Sequence, residues 1–374
     1  MPFGPSASDL PEWTDAYFSR TRAVVERYGD SIVTYAVFMR RPVVAAPRLA
    51  VEWLKGLAAE RRFKVEIEFV REEGQWVGAG EPMLYITGSL AQLVETETLF
   101  LMKIGPASVA AYNAFTMCAD LPSVAFLAME ARHCAGLEME TLMAYAASVG
   151  SARAKRKAGA IGFVGNATPA TAHFFGRDHA LGTMPHGLIG YAGSTLRAAE
   201  MFVETFPDQN PTILVDYFGR EVTDAIEVCR RYPEIASEGR LSFRLDTPGS
   251  RFLEGLDTQL SYEVLDRHAR DAIRGYRTED ELRHLIGPGV SAAAIWRFRD
   301  SLDAAGFPAA KIVASSGFGP AKCKMMAAAE APIDVIGTGS FLPGEWGETY
   351  ATADIVAYDG VPRVKVGREF LLRP

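Results

Sequence analysis

From Ser123 onward the chain repeats one pattern: a short apolar run of strand length, a polar or glycine-containing turn, then a helical segment. The apolar runs are Val124–Leu127, Ile161–Val164, Ala180–Leu181, Ile213–Val215, Ser242–Leu245, Ile312–Ala314 and Val335–Ile336. Most lie about 20 to 40 residues apart, and the gap between Leu245 and Ile312 has room for one more. Strands that alternate with helices over about 220 residues pair in parallel beneath a helical cover, so the pattern predicts a (β/α) barrel or a close variant.

The chain's 374 residues exceed the roughly 250–300 at which a single hydrophobic core stops growing, so a second domain is expected. The residues before Ser123 have a different texture. Asp15–Tyr28 reads as a helix, Ile32–Met39 and Pro42–Leu57 are apolar, and Phe63–Val70 alternates as a strand with one wet face. Glu73–Gly80 is a turn into the strand Met83–Ile86, which completes an antiparallel β segment. Ala91–Cys118 carries helical spacing interrupted at Gly105-Pro106 and reads as two helices. Alternation returns in Asp354–Leu372, as a hairpin folding back on the first sheet. The expected organisation is α/β. Residues 1–120 form an N-terminal α/β domain with an antiparallel sheet, residues 121–345 an irregular barrel, and residues 346–374 a β segment returning to the first domain.

A net charge of −7 without a long basic stripe argues against a nucleic-acid or membrane-surface binder. The four cysteines, Cys118, Cys134, Cys229 and Cys323, form no C-x-x-C pair, so neither a disulfide framework nor a structural zinc site is indicated, and a reducing cytoplasm fits. The N-terminal MPFGPSASDLPEWTD lacks the basic and apolar regions of a signal peptide, and no uncharged apolar run reaches spanning length. A soluble, intracellular protein is expected.

Barrels carry their chemistry just beyond the C-terminal ends of the strands. Those positions hold Glu130, Arg132 and His133; Gly165, Asn166 and Thr168; His186; Asp216; Arg244 and Asp246; Ser315, Ser316 and Gly317; and Gly337, Thr338, Gly339 and Ser340. His186 stands in ALGTMPHGLIG, where a glycine turn hands over to the amphipathic run Leu188–Glu204, so its imidazole comes at a helix start, where backbone N–H groups are free to meet phosphate. A capping or packing histidine is the bland alternative. The SSGFG and GTGS loops follow the last two strands, where barrels often bind phosphate, and Arg132 and Arg244 offer forked donors for it. Arg244 has the alternative of a structural ion pair with Asp246 or Asp216. Asp216 can orient His186, and Asp246 can face a ribose hydroxyl or a hydrated Mg²⁺, unless either acid merely balances an arginine.

With these residues in place, the chain resembles the nicotinate phosphoribosyltransferase family among the type II phosphoribosyltransferases. The resemblance runs through nearly the whole chain, in DAYFSRT, EEGQWVGAGEPMLYITG, ARHCAG, GTMPHG, ILVDYF, RLDTPG, IVASSGFG and APIDVIGTGS. It implies an N-terminal α/β domain, an incomplete barrel, and a homodimer sharing its active sites. It makes His186 the histidine phosphorylated by ATP, Asp216 the acid beside it, and Asp246 a residue near the ribose. Arg132, Arg244 and the loops Ser315–Gly317 and Gly337–Gly339 become the phosphate site. Tyr17 or Phe18 would stack on the pyridine ring from the neighbouring subunit. The implied reaction joins nicotinate to phosphoribosyl pyrophosphate, releases pyrophosphate, and is coupled to ATP hydrolysis, with Mg²⁺ carried by the pyrophosphate near Asp246 rather than ligated directly by protein.

Three positions depart from the family pattern. Met129 stands where relatives commonly carry an aromatic residue, Gly249 replaces a carboxylate in RLDTPG, and the ring-contacting segment reads Gly165-Asn166-Ala167-Thr168. Two alternatives therefore stay open. One is a phosphoribosyltransferase for quinolinate or another heteroaromatic acid without ATP coupling. The other is a phosphosugar-binding barrel, either a sensor or a Schiff-base aldolase; Lys311 is its strand-edge candidate, and Lys322 and Lys324 fall on the following helix.

Overall fold

The computed structural model describes residues 4–373. Its first strands are β1 (Ile32–Met39), β2 (Val43–Val44), β3 (Val65–Phe69), β4 (Trp76–Val77) and β5 (Pro82–Ser89). There follow β6 (Ala125–Ala128), β7 (Gly162–Asn166), β8 (Thr212–Leu214), β9 (Ser242–Leu245), β10 (Lys311–Ala314) and β11 (Val335–Thr338). The chain closes with β12 (Ala351–Tyr358) and β13 (Val361–Pro362). It divides into two compact units: one holds the residues up to Phe115, His133–Arg153 and those from Phe341 on, the other Thr116–Arg132 and Ala154–Ser340.

In the first unit an antiparallel sheet runs β13-β12-β1-β5-β3, with β2 and β4 paired as a separate ribbon. The central strand β1 sets Tyr35 against Ile86 of β5 and Ile355 of β12. Val33, Tyr35, Val37 and Met39 face a core with Trp53, Leu54 and Leu57 of the helix Arg48–Arg61, while Ala36 and Phe38 pack on Tyr85, Val356 and Leu371. Burial on both faces is why this strand reads as an unbroken apolar run. At the sheet edge β3 keeps the expected alternation, with Glu66 and Glu68 exposed and Ile67 and Phe69 partly buried.

The break expected at Gly105-Pro106 does not occur. A single helix spans Glu97–Asp120 with Pro106 inside it, after the short helix Leu90–Leu93 and a tight turn, Val94–Thr96. A Cβ on Gly105 would run into the Thr349 carbonyl, so the glycine serves close approach of the segment ahead of β12 rather than a turn. Packing of Ile104, Ala107 and Ala110, all fully buried, outweighs the hydrogen bond that proline removes.

The second unit holds a six-stranded, all-parallel sheet in the order β7-β6-β11-β10-β9-β8. Pairing of β11 with β6 joins the end of the series to its beginning, so the strands follow a barrel's circuit that is open in one place, between β7 and β8. The run Ala180–Leu181, expected as a strand, falls in that opening and forms no ladder; its Leu181 N–H donates once, to the Asn166 carbonyl at 2.8 Å. Pro185 nearby has no N–H to donate, and Gly182 has no side chain to pack on a pleated surface. The helical run expected over Leu188–Glu204 is likewise two helices, His186–Ala192 and Thr195–Thr205, because Gly193 ends the first in a left-handed conformation and the Ser194 side chain caps the second. On β9 the period of two sets Phe243 and Leu245, fully buried, on one face and Arg244 on the other.

Candidate active site

His186 is the first residue of its helix, directly after Pro185, whose extended backbone turns the chain. Its Nε2 lies 3.0 Å from Oδ2 and 3.1 Å from Oδ1 of Asp216, two residues past the end of β8. The Asp216 side chain is 4% exposed, whereas the imidazole side chain is 45% exposed. A carboxylate accepts, so Nε2 carries a proton, and in the neutral imidazole the lone pair is the one on Nδ1. The sequence placed these two residues at strand ends, and the fold brings them together.

What holds Asp216 was not among the sequence candidates. Arg251 donates from Nη2 to the Asp216 carbonyl at 2.7 Å and pairs with Glu221 at 2.6 Å. Glu221 is fully buried and also accepts from Thr247 Oγ1 at 2.8 Å. A buried carboxylate needs such partners to remain charged. The only signal in the sequence was an arginine just beyond the RLDTPG turn.

Arg244 and Asp246 form an ion pair, Nη2 to Oδ2 at 2.8 Å, so the structural alternative for this arginine is present in the fold. Arg244 Nη1 also meets Thr183 Oγ1 at 2.5 Å, and its Nε is buried without a hydrogen-bond partner. Asp246 accepts a second bond from Ser315 Oγ at 2.9 Å. Both carboxylate oxygens are thus already engaged. Among the described residues no three His, Cys, Asp or Glu side chains gather as a metal site requires.

The loop after β10 turns through two left-handed residues, Ser316 at φ +77° and Gly317 at φ +70°. Behind it Lys322, buried in the helix Pro320–Ala328, donates from Nζ to the Ser316 carbonyl at 2.7 Å and lies 4.1 Å from the Phe318 ring centre. Burial pushes its ammonium down to about 8, against opposing pulls from Cys323 and Asp246. Burial, then the charge of Lys322, also lowers the His284 imidazole. The loop after β11 is tied to the one before: Thr338 Oγ1 donates to the Phe318 carbonyl at 2.7 Å and accepts the Ser340 N–H at 2.8 Å. Gly337 and Gly339 let this loop lie against the turn after β6, since a Cβ would meet Met129 Sδ and the Glu130 Cα, each at 2.8 Å.

Met129 therefore packs over Gly337, and Arg132 stands exposed on the turn Ala131–His133. Asn166 ends β7 with its amide turned inward, donating to the Thr168 carbonyl at 2.8 Å and Thr171 Oγ1 at 2.6 Å. Gly249 is exposed and lies against Gly289. Tyr17 and Phe18 belong to the other unit. There Tyr17 is exposed, Phe18 is buried, and their ring centres are 4.2 Å apart. Lys311 opens β10 and so lies at the opposite end of the sheet from these loops. No helix among the described residues is long and apolar enough to cross a membrane.

No family model and no curated protein matches the sequence. Solved structures do match the fold. Nicotinate-nucleotide pyrophosphorylase from Pyrococcus furiosus aligns at 22% identity over 97% of this chain and 80% of that one, with a TM-score of 0.68. Human nicotinic acid phosphoribosyltransferase aligns at 16% identity over 94% of this chain and 76% of that one, with a TM-score of 0.62. Nicotinate-nucleotide pyrophosphorylase from Ehrlichia chaffeensis gives 14% identity, coverages of 93% and 96%, and a TM-score of 0.56. The antiparallel sheet in one unit and the open parallel barrel in the other are the fold of the type II phosphoribosyltransferases.

Proposed function

We propose that a chain with this fold and these strand-end residues is an ATP-coupled nicotinate phosphoribosyltransferase acting in NAD salvage. The observation that carries the ATP coupling is the His186–Asp216 pair, a half-exposed imidazole with its Nε2 proton held by a buried carboxylate. In this reading Nδ1 attacks the γ-phosphorus of ATP, the bond to ADP breaks, and Asp216 stabilises the imidazole as it gains positive character. In the transfer step the nicotinate nitrogen attacks the anomeric carbon as the bond to pyrophosphate breaks. The ring nitrogen needs no proton removed, so the protein's work is positioning and charge balance. Arg244, whose free Nε faces no protein partner, and Arg132 neutralise phosphate oxygens. The Ser315–Gly317 and Gly337–Gly339 loops seat the 5′-phosphate, and Asp246 stands near the ribose. Mg²⁺ arrives with the pyrophosphate. Since Asp246 already accepts from Arg244 and Ser315, no direct ligation of the ion belongs to this reading.

Asn166, Thr168 and Met129 would border the base, with Tyr17 or Phe18 supplied by the neighbouring subunit of a homodimer. Asn166 spends its Nδ2 donors on the turn that follows and keeps only the acceptor Oδ1 without a partner, so recognition of the nicotinate carboxylate falls more heavily on its neighbours. A cytoplasmic setting accords with the buried thiols of Cys118, Cys229 and Cys323. The aldolase alternative loses its strand-edge lysine, because Lys311 is at the wrong end of β10.

A pyrophosphate-release assay with phosphoribosyl pyrophosphate and Mg²⁺ tests the reading, run with nicotinate, nicotinamide and quinolinate, each with and without ATP. Nicotinate-dependent release that rises with ATP is expected, and His186→Ala should lose the ATP stimulation while remaining folded. ATP-independent release with quinolinate alone would replace this reading by the quinolinate enzyme.

A further inference from the structure

Lys322 has no part in the chemistry above, yet it is buried directly behind the loop assigned to phosphate. Its ammonium holds the carbonyl of Ser316, and the peptide so held continues into the N–H of Gly317. In a planar trans peptide the carbonyl and the following N–H point in opposite directions. A carbonyl tied inward to Lys322 therefore turns the Gly317 N–H outward. Ser316 adopts the left-handed conformation that a residue with a Cβ rarely takes, and the bond from Lys322 stabilises it there. Among the described residues, the N–H groups of Ser316, Gly317 and Phe318 donate to no protein acceptor. Three consecutive free donors at a turn of this kind form an anion-binding concavity.

We propose that Lys322 is the positioning residue of the Ser315–Phe318 loop: it fixes the Ser316–Gly317 peptide with its N–H toward a phosphomonoester and sets a counter-charge behind the bound dianion. The nature of the ligand rests on the phosphoribosyl reading. The charge environment supports the role. Lys322 faces Asp246 beyond β9, which already serves Arg244 and Ser315. From the helix Glu279–Ile286 it faces His284, whose proton affinity it lowers, and on its own helix the Cys323 thiol, pushed up by burial. Asp120 and Glu281 instead face Lys324. Lys322 is thus a cation in mainly neutral surroundings, with no carboxylate of its own. It gives up its proton just above neutrality, so a phosphate held with its help is bound more weakly as pH rises through about 8.

The test is calorimetric binding of ribose 5-phosphate, already a dianion above neutral pH, to the full chain and to Lys322→Arg and Lys322→Met between pH 7 and 9.5. Wild-type affinity is expected to fall roughly tenfold across this range, Lys322→Arg to hold its affinity throughout, and Lys322→Met to bind roughly 30-fold more weakly at pH 7 with a flat profile. If Lys322→Met does not fold, the wild-type profile against that of Lys322→Arg decides alone, and identical profiles overturn the proposal. Equal affinity in wild type and Lys322→Met overturns it while leaving the phosphate site standing. Absence of any ribose 5-phosphate binding by the wild type overturns the phosphate reading and this role together.

Discussion

Burial, with Asp354 and Asp15 nearby, pushes the Glu97 carboxyl up to about 7 in the first unit. A carboxyl whose affinity for protons is higher when folded stabilises the fold at low pH and progressively destabilises it as pH rises from its unfolded value toward 7. Glu97→Gln should therefore match the wild type near pH 4 and exceed it by roughly 3 kcal/mol at pH 8, read from urea unfolding at the two pH values. An equal difference at both would mean that the carboxyl is not strained by burial. At this scale the legible residues were those whose type is conspicuous in its setting: an arginine in an apolar strand, or a histidine after a glycine turn. Arg251 and Thr183 escaped, and Lys322 was noted only as a lysine on the helix after β10, because their partners are a backbone carbonyl, the guanidinium of a remote strand, and a loop carbonyl. A backbone oxygen has no sequence signature.

Among the elements, the long helix Glu97–Asp120 turns on whether Gly105-Pro106 breaks it. Local preference favours a break, and tertiary packing keeps the helix whole. Gly105→Ala should leave helix propensity better and the protein worse, costing roughly 3 kcal/mol in thermal or urea unfolding, because the Thr349 carbonyl must move. A stabilised variant would show that the close approach is not what selects glycine. The same contest explains the segment before His186. Ala180–Leu181 has strand-like residues, but a strand is completed by its neighbours' hydrogen bonds, and here one bond to Asn166 is all that forms. β3 was legible as a strand because burial on one face writes an alternation into residue type, whereas β1, buried on both faces, showed only as an apolar run.

For the whole molecule, the proposed homodimer with shared sites makes a prediction about mixtures. His186→Ala disables the site of its own barrel, and Tyr17→Ala disables the ring contact it would lend to its partner. Mixed and allowed to exchange, the two inactive populations should regain roughly a quarter of wild-type ATP-stimulated activity, since half the dimers are mixed and one of two sites in each is intact. No recovery in a mixture shown by sedimentation to exchange subunits would remove Tyr17 from a shared site. The repeating strand–turn–helix pattern by itself determined a parallel, helix-covered sheet, and it set the candidate residues, His186 apart, just past strand ends, because periodicity and turn chemistry are local properties of the chain. It could not determine that the circuit stays open between β7 and β8, or which strand of the first sheet the returning β12 would pair with. Those pairings are hydrogen-bond partnerships between segments far apart in sequence. Tertiary structure alone decided them, through which edges were left unpaired and which close approaches the glycines allowed.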